Sequence, residues 1–133
     1  MPRRAALGLA FAAIACLTST AQARCAPVSM PQEVRRATFV VEAVLERAGD
    51  PGTFRTVTVW KGGDQAPATF SLGAQRGRGQ WEWADASSVG HRYLLLLSSE
   101  GGAYSVARCG QSGEATDARR AELRALGLRP QSR

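Results

Sequence analysis

The spacing of the apolar runs most constrains what this chain can fold into. Between Thr38 and Arg108, short stretches rich in β-branched, aromatic and leucine residues alternate with breaks containing glycine and proline. The runs cover residues 38–47, 53–60, 68–72, 91–98 and 103–108, and the breaks include Asp50-Pro51-Gly52, Gly62-Gly63-Asp64 and Glu100-Gly101-Gly102. Runs of this length bounded in this way read as strands. In the second run, strict alternation places Phe54, Thr56, Thr58 and Trp60 on one face and Arg55, Val57 and Val59 on the other. Residues 80–83 are a further candidate for extended chain. Ser29, Pro31 and Glu33 suit the cap and first turn of a short helix over 29–37. Residues 116–126 read as a second helix, with Asp117 in its first turn and Gly127 as its stop.

Five strands in one sheet leave two edges that need protection, and closure removes them. The expected architecture is therefore mainly β: a five-stranded OB-type Greek-key barrel with a C-terminal helix and a short N-terminal helix. An open sheet covered by the last helix is the alternative. With 133 residues there is room for one such domain, expected over 24–127, and residues 128–133 are expected to form a disordered tail.

The chain begins with a basic head, Arg3-Arg4, followed by an uncharged apolar run over 5–17 and then Ala21-Gln22-Ala23. That order is the pattern of a secretory signal peptide, expected to be removed after Ala23. The run is shorter than the ~20 apolar residues of a membrane span, so no transmembrane segment is expected in the mature chain. Ala13-Ile14-Ala15-Cys16 offers a second reading, in which Cys16 is lipidated and anchors the protein to a membrane. Either way the domain is expected to be periplasmic, secreted or membrane-anchored from outside the cytoplasm.

Export changes the meaning of the cysteines. Removal of residues 1–23 leaves Cys25 and Cys109, and an even pair in a small exported domain reads as a disulfide. The bond would close most of the mature chain into one loop, for which the chain-entropy account gives roughly 4–5 kcal/mol. The full chain carries a formal charge of +6, which favours acidic partners such as anionic envelope ligands. The arginines are spread along the chain rather than gathered in blocks, so nucleic acid is not the expected partner. One histidine and two remaining cysteines are too few for a structural zinc site, and no cofactor is expected.

The order of landmarks resembles the netrin-like, or TIMP-like (tissue inhibitor of metalloproteinases-like), OB-fold domains, and among them small exported bacterial members. The resemblance rests on Cys25, the strand from Ala37 to Val44, the strand from Phe54 through Val59-Trp60-Lys61-Gly62, the stretch from Val89-Gly90-His91 to Leu97, and Tyr104 through Cys109-Gly110 with the helix that follows. It implies a barrel whose N-terminal segment is disulfide-bonded to the end of the last strand. In animal relatives, metalloproteinase inhibition uses a cysteine as the first mature residue, whose amine and carbonyl chelate the protease zinc. Here Arg24 is expected to precede Cys25, and Pro27 stands where those relatives have a second cysteine. Inhibition through Cys25 is thus the alternative to a more general binding role.

Several side chains are candidates for a site. Arg76 and Arg78 precede Trp81 and Trp83, and arginines beside aromatics can make a stacking surface on an OB fold. The bland reading is that the tryptophans cover a barrel end. Glu42 and Glu46 share a strand face and read as solvated carboxylates rather than an acid–base pair. His91, near Asp85, Ser87 and Ser88, reads as an exposed residue at a strand edge. Arg119, Arg120 and Arg124 give the last helix a basic face, with Arg120 and Arg124 close enough to repel. The expected protein is a monomeric, non-enzymatic module that binds an unidentified protein or ligand of the cell envelope.

Overall fold

The computed structural model describes residues 26–73 and 82–133. The expected signal peptide and its cleavage site, Cys16, Cys25, Arg76, Arg78 and Trp81 lie outside the described residues. The chain is mainly β. Helix α1 (Met30–Arg36) leads into β1 (Phe39–Arg47) and β2 (Gly52–Lys61), and then β3 (Thr69–Leu72). After two 3-10 turns come β4 (Arg92–Glu100), β5 (Ala103–Val106), the two-residue β6 (Gly113–Glu114), α2 (Asp117–Ala125) and the two-residue β7 (Gln131–Ser132). All strand pairs are antiparallel, and the main path through the sheet runs β3-β2-β1-β4-β5, with β6 on β4 and β7 on β2.

The sheet curls. Its pairing between β1 and β2 shifts register between Val40 and Val41, between Glu42 and Ala43, and between Leu45 and Arg47. Each such irregularity bends and twists the strand that carries it. The curl brings the two ends of the path together: the Phe70 ring on β3 lies 5.9 Å from Tyr104 on β5, and Tyr104 lies 6.2 Å from Phe39 on β1. The inner face holds Val41, Ala43 and Leu45 with Phe54, Phe70, Leu72, Tyr93, Leu95 and Leu97, all buried. Phe54 stacks on Phe70 at 5.4 Å and takes the edges of Trp83 and Tyr93 at 5.5 and 5.9 Å.

The outer face is buried too, because both helices lie on it. Met30, Val34 and Ala37 from the α1 region and Leu123 from α2 pack with Val40, Trp60, Leu94 and Leu96 of the sheet. This explains the run of leucines at 94–97. Alternate residues serve opposite layers, Leu95 and Leu97 inside and Leu94 and Leu96 outside, so the strand has no solvated face.

Both helices start where their caps predict. The Ser29 hydroxyl accepts from Gln32 N at 3.4 Å, and the Thr116 hydroxyl accepts from Arg119 N at 3.3 Å. The C-terminal carbonyls of α1 are held from the sheet: Lys61 Nζ donates to Val34 O at 2.8 Å and to Ala37 O at 2.6 Å, a cation at the negative end of a helix dipole. Immediately after Lys61 the chain leaves β2 through Gly62, which has a φ of 108°. A Cβ there would sit 2.2 Å from Phe39 Cδ1, so only glycine fits.

Two expectations are corrected. The alternation expected for 53–60 fails after Thr56. Phe54 pairs with Leu45 and Thr56 with Ala43, but Thr58 pairs with Glu42, one residue on for a step of two. Val57 is the extra residue, so Thr58 and Trp60 serve the outer layer, while Val59 packs inside with Phe54. The expected frayed tail is instead partly ordered: Ser132 and Gln131 pair with Thr58 and Val59, Arg133 N donates to Val57 O at 3.2 Å, and the Arg133 guanidinium reaches Ala66 O. The exposed part of the β2 edge that β3 does not cover is satisfied by the end of the chain.

Candidate functional site

Two carboxylates are buried in the outer layer, Glu42 on the sheet beneath α2 and Glu33 on α1 itself. Glu42, in the middle of β1, is 1% exposed. It is not solvated, as its strand position suggested, because α2 crosses above it. Trp60 Nε1 and Arg120 Nε each donate to its Oε1 at 3.0 Å, Arg120 Nη2 donates to its Oε2 at 3.0 Å, and Arg92 Nε lies 2.6 Å from Oε2. The expected repulsion on the basic face of α2 is relieved the same way. Arg120 turns inward to Glu42 and also holds Asp117 at 2.9 Å, while the Arg124 guanidinium lies 5.5 Å above the Trp60 ring. Burial acts to raise the pKa of Glu42. The hydrogen bonds from Arg120 and Trp60 and the charges of Arg92 and Arg120 outweigh it, and the group is held below the ordinary glutamate range. Glu42 is a fully used clamp between β1, β2, β4 and α2.

Glu33, on α1, is 5% exposed and differs in kind. Its Oε2 accepts from Gln111 N, and its Oε1 is a buried oxygen without a hydrogen-bond partner. Burial raises its pKa, offset in part by the Gln111 N–H and the charge of Arg119. Gly110 makes the fit possible: a Cβ there would lie 2.1 Å from Glu33 Oε1. The same loop is pinned on three further sides. Gln111 Nε2 donates to Val28 O at 2.8 Å, Arg119 donates to Gln111 O, and Leu96 N donates to the Ser112 hydroxyl at 2.9 Å. Beside Glu33 lies a cavity of about 130 Å³ lined by Val28, Glu33, Arg36, Ala37, Leu96, Ser98 and Ala107. Arg36, Ser98 and Ala107 are exposed and form its mouth, while Ala37 and Leu96 are buried walls.

The residues singled out in the sequence fall elsewhere. Trp83 is fully buried, with its ring 5.5 Å from Phe54 and 6.0 Å from Tyr93. Its place in the inner core agrees with the reading in which the tryptophans cover the core, and removes Trp83 from the alternative of a stacking surface. Arg76, Arg78 and Trp81 lie outside the described residues, as do Cys16 and Cys25. Cys109 is disulfide-bonded and immediately precedes Gly110. His91 is exposed in the bend before β4, and the Asp85 carboxylate accepts from Ser87 N at 3.0 Å, which lowers its pKa. Glu46 pairs with Arg55 at 2.7 Å on the surface.

Sequence reasoning missed Glu33 and misjudged Glu42. For Glu42 a signal was present: it is the one charge inside Phe39-Val40-Val41-Glu42-Ala43-Val44-Leu45, and a charge within a run buried on both faces must be paired. For Glu33 the sequence carries no comparable mark. Compared with known proteins, the chain matches no family model and no curated sequence. Among the described residues, no helix is long and apolar enough to cross a membrane.

Proposed function

We propose that this protein is an exported, non-enzymatic binding module of the cell envelope. It meets its partner where the N-terminal segment, α1 and the loop after β5 come together. The observation that carries the reading is a cavity of about 130 Å³ with an exposed mouth, lined in part by the buried Glu33, whose carboxylate accepts a single backbone hydrogen bond. A structural carboxylate is expected to be saturated, as Glu42 is. The strand path β3-β2-β1-β4-β5, with Phe70 and Tyr104 in contact across its two ends, supports an OB-type five-stranded Greek-key barrel opened between β3 and β5. On that reading the chain is a netrin-like or TIMP-like domain. Cys25 is then the partner of Cys109, and the bond tethers the N-terminal segment beside the cavity.

The test is a photo-crosslinking residue placed at Ala107, at the mouth, with the same residue at exposed Ala103 as control, in protein exported by the native host. Envelope adducts specific to position 107 are expected. Equal labelling from both positions, or none, contradicts the reading. N-terminal sequencing of the same preparation is expected to begin at Arg24, and a chain beginning at Met1 contradicts export.

A further inference from the structure

We infer that the cavity beside α1 takes a short branched aliphatic carboxylate, either a free acid or the C-terminal residue of a peptide, with its carboxylate on Arg36 and its hydrocarbon inside. This rests on the binding role proposed above and names the chemistry of its ligand. The space is about 130 Å³. An apolar cavity of roughly 150 Å³ holds a benzene, so a group of about four or five carbons fits here. The wall is mostly carbon: Val28 before α1, Ala37 at its end, Leu96 on β4 and Ala107 just after β5. Glu33 also borders the space but offers it no acceptor. Its Oε1 is enclosed against Gly110 and its Oε2 accepts from Gln111 N, and neither of those residues lines the cavity. The polar side chains that remain stand at the mouth. Arg36 and Ser98 are exposed there, and neither side chain makes an ion pair or hydrogen bond with a described residue.

Arg36 is available because another cation serves the helix. A basic residue in a last turn often answers the helix dipole, but here Lys61 Nζ holds the Val34 and Ala37 carbonyls at 2.8 and 2.6 Å. A guanidinium at the rim of an apolar space matches a carboxylate through two parallel hydrogen bonds, and the Ser98 hydroxyl adds a donor. Simpler ligands answer only half of this arrangement. Inorganic phosphate would pair with Arg36 and leave the carbon wall wet. An alkylamine would fill the space and meet the guanidinium with like charge. A neutral amide of the same shape lacks the charge that strengthens the pairing.

The experiment is an amide NMR titration of the mature protein with isovalerate, N-acetyl-L-valine, acetate, isovaleramide, isopentylamine and inorganic phosphate. Isovalerate or N-acetyl-L-valine should saturate with a Kd of about 1 mM or below, shifting the amides of Ala37, Leu96, Ser98 and Ala107. Each further buried methylene is worth about fourfold in affinity. Acetate should therefore bind about tenfold more weakly or worse, and so should the amide, the amine and phosphate. Isovalerate bound more tightly than N-acetyl-L-valine assigns the free acid, and the reverse assigns a peptide C-terminus; both support the inference. Arg36→Gln should weaken the two branched carboxylates about tenfold and leave isovaleramide unchanged. Arg35→Gln, at the exposed neighbour that does not line the cavity, should change neither. Ala107→Phe, at an exposed position, should block the mouth while leaving the unfolding midpoint unchanged. Failure of both branched carboxylates to saturate by about 10 mM overturns the inference. So does isovaleramide or phosphate bound as tightly as isovalerate, an equal loss from Arg35→Gln and Arg36→Gln, or undiminished binding in Ala107→Phe. If the titrations fail but position 107 still crosslinks specifically, the binding role stands and only this ligand chemistry falls.

Discussion

The two helix–sheet junctions of the outer layer solve the same problem in opposite ways. Under α2, Glu42 is surrounded by Arg92, Arg120 and Trp60, and every strong acceptor direction is used. On α1, Glu33 is buried to a similar degree but has one backbone donor and no ion pair within bonding distance among the described residues. One carboxylate is pushed down in pKa and the other up. The difference is one of pairing. A saturated carboxylate holds elements together, whereas a half-used one keeps a desolvation cost that its single backbone donor offsets only in part.

The comparison is broken most severely at Glu42. Glu42→Gln keeps the shape but leaves Arg92 and Arg120 against a neutral amide, and loss of one partner of a buried pair costs about 3–5 kcal/mol. Urea unfolding at neutral pH should show a loss in that range, and a loss below about 1 kcal/mol would place the network among ordinary surface pairs. Cys109→Ser should follow closely, at roughly 2–5 kcal/mol, and should loosen the Gly110–Gln111 loop against α1. Glu33→Gln should shift stability by no more than about 1 kcal/mol at neutral pH, because it removes a charge that burial disfavours along with one hydrogen bond. Arg55→Ala, which breaks the exposed pair with Glu46, should be worth 0–1 kcal/mol by the usual range of about that size for surface pairs.

The pH dependence sharpens the contrast, because the two signs are opposite. Glu33 has a raised pKa in the folded state, so its contribution to stability is full below the unfolded value and is lost as pH rises through the folded one. Glu42 has a lowered pKa, so its contribution is present above the unfolded value and is lost as pH falls through the folded one. On acidification from neutral pH, the Glu33 contribution should therefore appear first, just above the ordinary glutamate value, and the Glu42 contribution should disappear below it. Unfolding curves of Glu33→Gln should lack the first change, and those of Glu42→Gln should lack the second.

Much of the frame was legible from local chemistry. Ser29 and Thr116 mark helix starts because their hydroxyls accept orphan amides, and Gly127, with a φ of 86°, marks the stop of α2. The five main strands were legible from their turns. What was hidden depends on contacts between distant segments. The bulge at Val57 reassigns Thr58, Val59 and Trp60 to faces that a period-two reading cannot anticipate. The pairing of β7 with β2 joins residues far apart in sequence, and a polar two-residue strand carries no pattern of its own. The partners of Glu42 come from β2, β4 and α2, and those of Glu33 from the loop after β5. A carboxylate's role is set by what folds over it, and that is decided at the tertiary level.

The most direct test of the central contrast is a carbon-detected NMR titration of the glutamate carboxyl groups, with Glu33 and Glu42 assigned through their Gln variants. The expected result is a Glu33 midpoint above the ordinary glutamate value and a Glu42 midpoint below it. Midpoints on the same side of the ordinary value would contradict the division between a saturated clamp beneath α2 and an under-paired carboxylate on α1.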